Sequence, residues 1–280
     1  MAELLKGALA AKALTESLRE KTAALGGKGV TPCLALLRVG SQEADLAYER
    51  SALKRCEQCG VAVQRIVLPE DVPQQTVLDE LTALNTNRGV HGILLFRPFR
   101  GHLDDAAICA AVAPEKDADG VTAASMSTIY AGRGKGFAPC TAEACIRLLR
   151  HYDVPLDGKR AVVIGRSFVI GKPVSMLLLR ENATVTVAHT HTRELPELCR
   201  QADILIVAAG HRGLVGKEHV RPGQVVVDVG IHALDDGSLC GDVRFDEVEP
   251  IVAAITPVPG GVGSMTTAIL CSHVIEAASR

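Results

Sequence analysis

From Ile255 the chain reads ITPVPGGVGSMT, two prolines and three glycines directly before an apolar, helix-forming run from Met265 to Ala278. Proline fixes φ and glycine permits φ > 0, so Pro257, Pro259, Gly260, Gly261 and Gly263 together specify an unusual backbone path. The helix that follows would aim its unpaired N–H groups at the loop, an arrangement suited to a ligand carboxylate or carbonyl. An ordinary tight turn before a last helix has the same composition, so the loop alone decides nothing.

A second stretch of this kind is AVVIGRSFVIGKP, from Ala161 to Pro173, where an apolar β-branched run ends in glycine and leads into the helical pattern PVSMLLLREN. Strand, glycine turn and helix put backbone N–H groups and the positive end of a helix where a dinucleotide pyrophosphate would sit. The spacing from Gly165 to Gly171 is not the common G-x-G-x-x-G fingerprint, so the glycines are unspecific by themselves. More informative is the next strand, ATVTVAH, which runs into Thr190, His191, Thr192 and Arg193 with no acidic residue. NAD sites place a carboxylate on the ribose hydroxyls near this point, whereas a basic, hydroxyl-bearing site suits a 2′-phosphate. Arg166 and Thr190 would meet such a phosphate, which favours NADP over NAD. The plain alternative is that Arg166 and His191 are solvated loop residues.

The elements that position these groups alternate strand and helix. ADILIVAAG and GQVVVDVGI are near-continuous apolar runs, the pattern of strands buried on both faces of a parallel sheet. From Arg160 to Ile231 the chain therefore reads as a doubly wound nucleotide-binding unit, with GLVGKEHVRP as a helix-compatible connection. The first half alternates too: a helix-forming segment over residues 1–30, a strand at Cys33 to Gly40, and a helix from about Glu43 to Cys59. VQRIVLP, a helix around Gln75 to Asn87 and a strand in Gly89 to Phe96 follow.

Composition narrows the classes. The formal net charge is −2, so no basic surface points to nucleic acid. The apolar stretches fall short of a membrane span, and the amphipathic N-terminus lacks a signal-peptide pattern, so a cytoplasmic protein is expected. Nine cysteines are many for 280 residues, yet only Cys56 and Cys59 form a CxxC, which points to reduced thiols and no metal site.

Taken together, VVIGRSFVIGKPVSMLL, DILIVAAG with VVVDVGI, GDVRFDEV, ITPVPGGVGSMT, KDADG at Lys116 to Gly120 and PCT at Pro139 to Thr141 resemble the methylenetetrahydrofolate dehydrogenase/cyclohydrolase family along nearly the whole chain. The resemblance implies a two-domain α/β fold with a cleft between the domains. Residues 1–141, completed by the C-terminal segment 256–280, would form a folate-binding catalytic domain, and residues 142–255 a Rossmann-type NADP-binding domain. It further implies oxidation of 5,10-methylenetetrahydrofolate in one-carbon metabolism, tetrahydrofolate derivatives as ligands, NADP as cofactor, and a homodimer. By the same resemblance, Tyr48 stacks on the folate rings and Asp119 hydrogen-bonds the pterin, these two being the catalytic candidates. Pro257, Gly260 and Gly261 approach the substrate, while Gly165, Arg166, Ser167, Thr190 and Ile231 contact the cofactor. Asp119 as a turn-stabilising Asx residue and Tyr48 as core filler are the structural alternatives.

The chain departs from the family at two positions that act together. The family carries a tyrosine followed by V-x-x-K-x-K-x-C, whose first lysine is credited with the hydrolytic step; here YERSALKRC keeps Tyr48, Lys54 and Cys56 but places Ala52 at the lysine. The family's Q-L-P-L-P, whose glutamine supports that lysine, is replaced in GILLFRPFR by Phe96 with Arg97, Phe99 and Arg100. Lys54 does not substitute, because it lies about 240° round the helix from Tyr48, a solvated face. The chemistry permits such a loss. Hydride leaves a carbon flanked by two nitrogens whose lone pairs stabilise the cation, so that step needs proximity and orientation. Hydrolysis of the methenyl product needs a positioned proton donor or acceptor.

Three readings follow: a dehydrogenase with cyclohydrolase activity lost or weak, a conventional bifunctional enzyme in which another group activates water, and a non-catalytic cofactor-binding regulatory protein. Tyr48, Asp119 and the proline-glycine loop argue against the third. Arg97 and Arg100 are expected to meet a polyglutamate tail or an unfamiliar substrate, since guanidinium forks pair well with carboxylates.

Overall fold

A computed structural model of the chain describes residues 1–99 and 101–280. Arg100 lies outside the described residues. In chain order the elements begin with β1 (Glu3–Leu4), α1 (Gly7–Gly26), β2 (Cys33–Val39), α2 (Glu43–Cys59), β3 (Ala62–Leu68), α3 (Gln74–Thr86) and β4 (Gly92–Leu95). Next come α4 (Asp105–Ala110), α5 (Ala123–Ala131), α6 (Cys140–His151), β5 (Arg160–Ile164), α7 (Gly171–Arg180), β6 (Thr184–Ala188), α8 (Leu195–Arg200) and β7 (Ile204–Val207). The chain ends with β8 (Val225–Asp228), β9 (His232–Ala233), β10 (Leu239–Cys240), α9 (Phe245–Val248), β11 (Ala254–Ile255) and α10 (Thr266–Ala278).

Two compact units result: Lys12–Cys140 with Thr267–Arg280, and Met1–Ala11 with Thr141–Thr266. The first is built on a three-stranded parallel sheet of order β3-β2-β4, in which Leu34 faces Gly92 and Leu37 faces Leu95. Every residue of β4 is buried and β2 is buried over Leu34–Arg38, as a central parallel strand covered on both faces requires. Its core gathers Leu37, Val77, Leu81, Ile93 and Ile108. One polar feature is embedded in it: Glu49, buried on α2, receives Arg38 Nε at 2.9 Å and Arg65 Nε at 2.6 Å.

The second unit carries a six-stranded parallel sheet of order β1-β11-β8-β7-β5-β6. From β5 the chain moves outward to β6, then returns to the other side of β5 to lay down β7 and β8. This order reversal leaves a crevice beyond the carboxyl ends of β5 and β7, where doubly wound folds bind ligands.

The division differs from the expected one in where the chain's ends fall. The first eleven residues group with the six-stranded sheet, because Glu3 and Leu4 form a strand on β11, with Glu3 opposite Ala254 and Leu4 opposite Ile255. The loop through Gly260 and Gly261 stays with that unit too, held by the Gly7 N–H donating to the Gly260 carbonyl at 2.9 Å. The return to the first unit therefore comes after Thr266 rather than at Thr256.

Candidate functional site

In the first unit, α2 presents Tyr48, Ala52 and Cys56 at four-residue intervals along one face. Ala52 and Cys56 are buried and Tyr48 is half-buried, while Lys54 is exposed on another side, as helical spacing requires. Directly after β4, Phe96 turns inward, 6 % exposed, and meets the Tyr48 ring edge-on, with centroids 6.2 Å apart at 75°. T-shaped contact of this kind is favourable and orients both rings. Ala52, one turn along α2 from Tyr48, and Phe96, at the edge of its ring, are both apolar and buried.

Arg97 is engaged within its own loop. Its Nε donates to Asp105 Oδ1 at 3.1 Å, its Nη2 pairs with Asp105 Oδ2, and the Phe99 N–H donates to the same carboxylate at 3.0 Å. The arginine holds the Asp105 carboxyl below its ordinary range. A cavity of about 630 Å³ opens beside Phe96, lined among others by Gln42, Asp45, Glu70, Asp71 and Phe99. Three of the lining residues, Asp45, Glu70 and Asp71, are carboxylates, and Arg97 is held by Asp105.

Asp119 lies within a tightly bonded turn. The neighbouring Asp117 accepts from the Val121 N–H (3.0 Å), the Thr122 N–H (2.8 Å) and Ser125 Oγ (2.6 Å), which organises the loop. Gly120 follows with φ +68°, and a Cβ there would fall 2.5 Å from the Ala138 carbonyl carbon, so only glycine fits. Burial pushes the Asp119 carboxyl up to about 6, opposed by a hydrogen bond with Cys140 and raised further by Asp117.

In the second unit, Gly165 ends β5 at φ +127°, and a Cβ on it would fall 2.1 Å from the Ala208 carbonyl beyond β7. This glycine is what lets the turn close over the switch point. Ser167 Oγ accepts from the Ile170 and Gly171 N–H groups at 3.2 and 3.3 Å, so part of its hydroxyl capacity serves the start of α7. Arg166 and Thr190 are exposed at the carboxyl ends of the adjacent strands β5 and β6, and Ile231, past the end of β8, is 60 % exposed. These loops offer a guanidinium, hydroxyls and an apolar surface together, a set that fits a phosphorylated dinucleotide. Of the proline-glycine loop, Gly260 takes φ +106°, and a Cβ on Gly261 would lie 2.6 Å from the Pro257 carbonyl. The Gly260 carbonyl accepts from the Gly7 N–H at 2.9 Å and the Gly261 carbonyl from the Ser264 N–H at 3.1 Å, so part of the loop's backbone capacity is spent on its own path.

One cluster was not legible in the sequence. Asp242, fully buried, accepts from the Ala209 N–H (2.7 Å) and Gly210 N–H (2.9 Å) and lies 2.7 Å from His232 Nε2. Asp228 accepts from the Gly230, Asp242 and Val243 N–H groups, each at 3.0 Å, and burial pushes its carboxyl up to about 6. The two carboxylates tie together the loops after β7 and β8. GDV and DVG are visible as strings, but neither string shows that one carboxylate serves the other's backbone. Among the described residues no group of three or more His, Cys, Asp or Glu is arranged to hold a metal, and no helix is long and apolar enough to cross a membrane.

Comparison with known proteins agrees along the whole chain. Residues 5–119 match the family model of the tetrahydrofolate dehydrogenase/cyclohydrolase catalytic domain, and residues 139–280 match that of its NAD(P)-binding domain. The bifunctional protein FolD of Carboxydothermus hydrogenoformans is 47% identical over 279 residues, covering 99% of this chain and 97% of that protein. The crystal structure of the bifunctional dehydrogenase/cyclohydrolase FolD from Campylobacter jejuni is similar at TM-score 0.96 and 39% identity, covering 100% of this chain and 99% of that one. That of the Trypanosoma brucei dehydrogenase-cyclohydrolase, complexed with NADP and an inhibitor, is similar at TM-score 0.92 and 36% identity, covering 100% and 98%.

Proposed function

The chain belongs to the tetrahydrofolate dehydrogenase/cyclohydrolase family, and within it we propose an NADP-dependent oxidation of 5,10-methylenetetrahydrofolate to the methenyl form, with cyclohydrolase activity lost or weak. The observation that carries the division of activities is the contact of Phe96 with Tyr48, one helical turn from buried Ala52. Where the family pattern has a lysine and its glutamine, this chain has a methyl group and a phenyl ring, both buried, and neither exchanges a proton.

The groups the oxidation needs are retained. Tyr48 offers a ring face to the pterin, Asp119 an acceptor carboxylate to its amino-pyrimidinone edge, and Pro257, Gly260 and Gly261 a backbone contact. NADP, when bound, supplies the hydride acceptor; a complex with NADP in the Trypanosoma brucei relative supports that choice. Gly165, Ser167 and Ile231 would carry its backbone and ring contacts, with Arg166 and Thr190 on the 2′-phosphate. The protein's task is then to bring the folate carbon and the nicotinamide together in a reactive geometry.

The conventional bifunctional reading has its own support, since relatives 42 to 47% identical carry the name bifunctional. We also propose a homodimer within a cytoplasmic setting: Leu179 on α7 and Val187 on the edge strand β6 leave apolar surface exposed in the single chain.

Purified protein mixed with 5,10-methylenetetrahydrofolate and NADP⁺ separates the readings, with reduced cofactor and methenyl product followed together. The proposal expects methenyl product to build up in step with reduced cofactor and to decay no faster than in an enzyme-free control. Faster drainage of the methenyl species restores the bifunctional reading, and no reduced cofactor removes the dehydrogenase.

A further inference from the structure

We propose that His232 is a positioning residue for Ile231: its bond to the buried Asp242 carboxylate sets the isoleucine side chain as the apolar surface that receives the nicotinamide end of the cofactor beside Gly263. The inference rests on the reading of Ile231 as a ring contact of NADP.

Ile231 is 60 % exposed, yet both of its chain neighbours are tied to buried carboxylates. The Gly230 N–H donates to Asp228 Oδ1 at 3.0 Å, and His232 Nε2 lies 2.7 Å from Asp242 Oδ1. Asp242 Oδ2 accepts from the Ala209 and Gly210 N–H groups at 2.7 and 2.9 Å, so this carboxylate serves as an acceptor and His232 Nε2 donates to it. The pairing of β9 with β10 sets His232 opposite Cys240, two residues before Asp242, which brings the ring to the carboxylate. The anchor itself is fixed, because the Asp242 N–H donates to Asp228 Oδ1 at 3.0 Å and a Cβ on Gly230 would fall 2.4 Å from Asp242 Oδ1.

With the backbone set on both sides, a side chain branched at Cβ has few directions left to it. The one it takes leads to Gly263, where a Cβ would fall 3.5 Å from Ile231 Cδ1, an ordinary contact distance. Gly263 belongs to the proline-glycine loop, which is fastened to the same frame at its start: the Asp228 N–H donates to Thr256 Oγ1 at 2.7 Å, one residue before Pro257. A cofactor ring resting on Ile231 therefore meets the loop proposed to approach the substrate, with both surfaces referred to one pair of carboxylates. His232 is half-buried, its side chain 24 % exposed, so replacing it frees the flank of Ile231 and leaves the Asp242 bonds to Ala209 and Gly210 in place.

The test takes two readouts on the full chain. With isoleucine δ1 methyls labelled with carbon-13, the wild type should show a nuclear Overhauser contact between the Ile231 methyl and the Gly263 α protons. His232→Ala and His232→Phe, the second keeping a ring without a donor, should lose it, and His232→Gln, whose amide restores the donor, should keep it. By calorimetry both donor-free variants should bind NADP⁺ about 10-fold more weakly, the scale of one hydrogen bond to a charged group. Their affinity for 2′,5′-ADP, which has the adenine end and the 2′-phosphate but no nicotinamide, should not change, and His232→Gln should bind both ligands as the wild type does. Ile231→Ala should weaken NADP⁺ to the same extent, and adding His232→Ala to it should weaken it no further. A methyl contact kept in both donor-free variants overturns the proposal, as does NADP⁺ affinity that does not move or that falls together with 2′,5′-ADP. Should one donor-free variant not fold, the other decides; should neither fold, the proposal is overturned, since His232 then holds the fold and not one side chain. If the wild type binds neither ligand, the NADP reading fails, while the methyl contact still judges what His232 does to Ile231.

Discussion

If the proposed loss of hydrolysis comes from Ala52 and Phe96, placing lysine and glutamine at both positions should bring hydrolysis in, whereas either alone should not. Ala52 is 0 % exposed, so a lysine there introduces three carbons and an ammonium group into a filled site. With Phe96 still in place, 6.2 Å from Tyr48, Ala52→Lys is expected to destabilise the fold by a few kcal/mol, through overpacking and desolvation of the charge, roughly in line with such substitutions elsewhere. Phe96→Gln alone removes a buried ring at a cost of about 3 kcal/mol and leaves an amide with no ammonium to support. Together, the amide replaces the ring beside the new lysine, and burial lowers the lysine pKa toward the range of a working acid or base. A positioned acid/base group contributes about 100-fold or more, so the double variant should hydrolyse methenyltetrahydrofolate about 100-fold faster than the wild type. The assay is loss of the methenyl absorbance against an enzyme-free control, with dehydrogenase turnover measured on the same samples as a check of folding. A wild type that already hydrolyses the methenyl species well above the control refutes the reasoning, because then another group activates the water.

Three further outcomes follow from the second unit. Arg166→Ala should weaken NADP by about 10-fold or more while changing NAD little, as loss of a charge-assisted phosphate contact predicts, and calorimetry with both cofactors checks it. Gly165→Ala should lower both cofactor affinity and Tm, since the new Cβ would lie 2.1 Å from the Ala208 carbonyl at a φ of +127°; a thermal melt that does not move counts against this close approach. Asp228, raised to about 6 by burial, binds its proton more tightly folded than unfolded, so its contribution to stability is full below about pH 4 and lost as pH rises through 6. The stability of wild type relative to Asp228→Asn should accordingly fall by about 3 kcal/mol between pH 4 and 6 and stay level above, measured by urea unfolding.

Parallel strands buried on both faces declare themselves, because apolar β-branched runs such as ILIV and VVVD have few other homes, and β7 and β8 lie inside the runs expected for them. The helix from Glu43 to Cys59 was legible to the residue, its apolar face and left-handed glycine stop at Gly60 both being local signals. β1 was not legible: Glu3 and Leu4 form a strand only because Ala254 and Ile255 lie beside them, some 250 residues away in the chain, and no local pattern records that. The short β9 and β10 pair is unannounced for a similar reason. At the site, the four-residue spacing that puts Tyr48 and Ala52 on one face of α2 could be read from the sequence, but the edge contact of Phe96 with Tyr48 could not. The engagement of Arg97 by Asp105 was likewise hidden, since an arginine's type gives its chemistry and not its partner.

The two activities of this family make different demands, and on the proposed reading the first unit meets one of them. Hydride transfer needs the pterin held still and water kept from the cation that forms; hydrolysis needs water admitted and a proton moved. On that reading Phe96 and Ala52 serve the first demand. Their buried apolar surface adjoins Tyr48, so the ring proposed to hold the pterin is itself held by an edge contact rather than by a polar relay. A lysine and glutamine at these positions would bring a charge and its hydration to the same place. Replacing only one of the pair would leave a buried ammonium without support or an amide without purpose, each costing stability. Joint replacement avoids both costs, so the proposed reading treats Ala52 and Phe96 as one change in what this site does rather than as two independent losses.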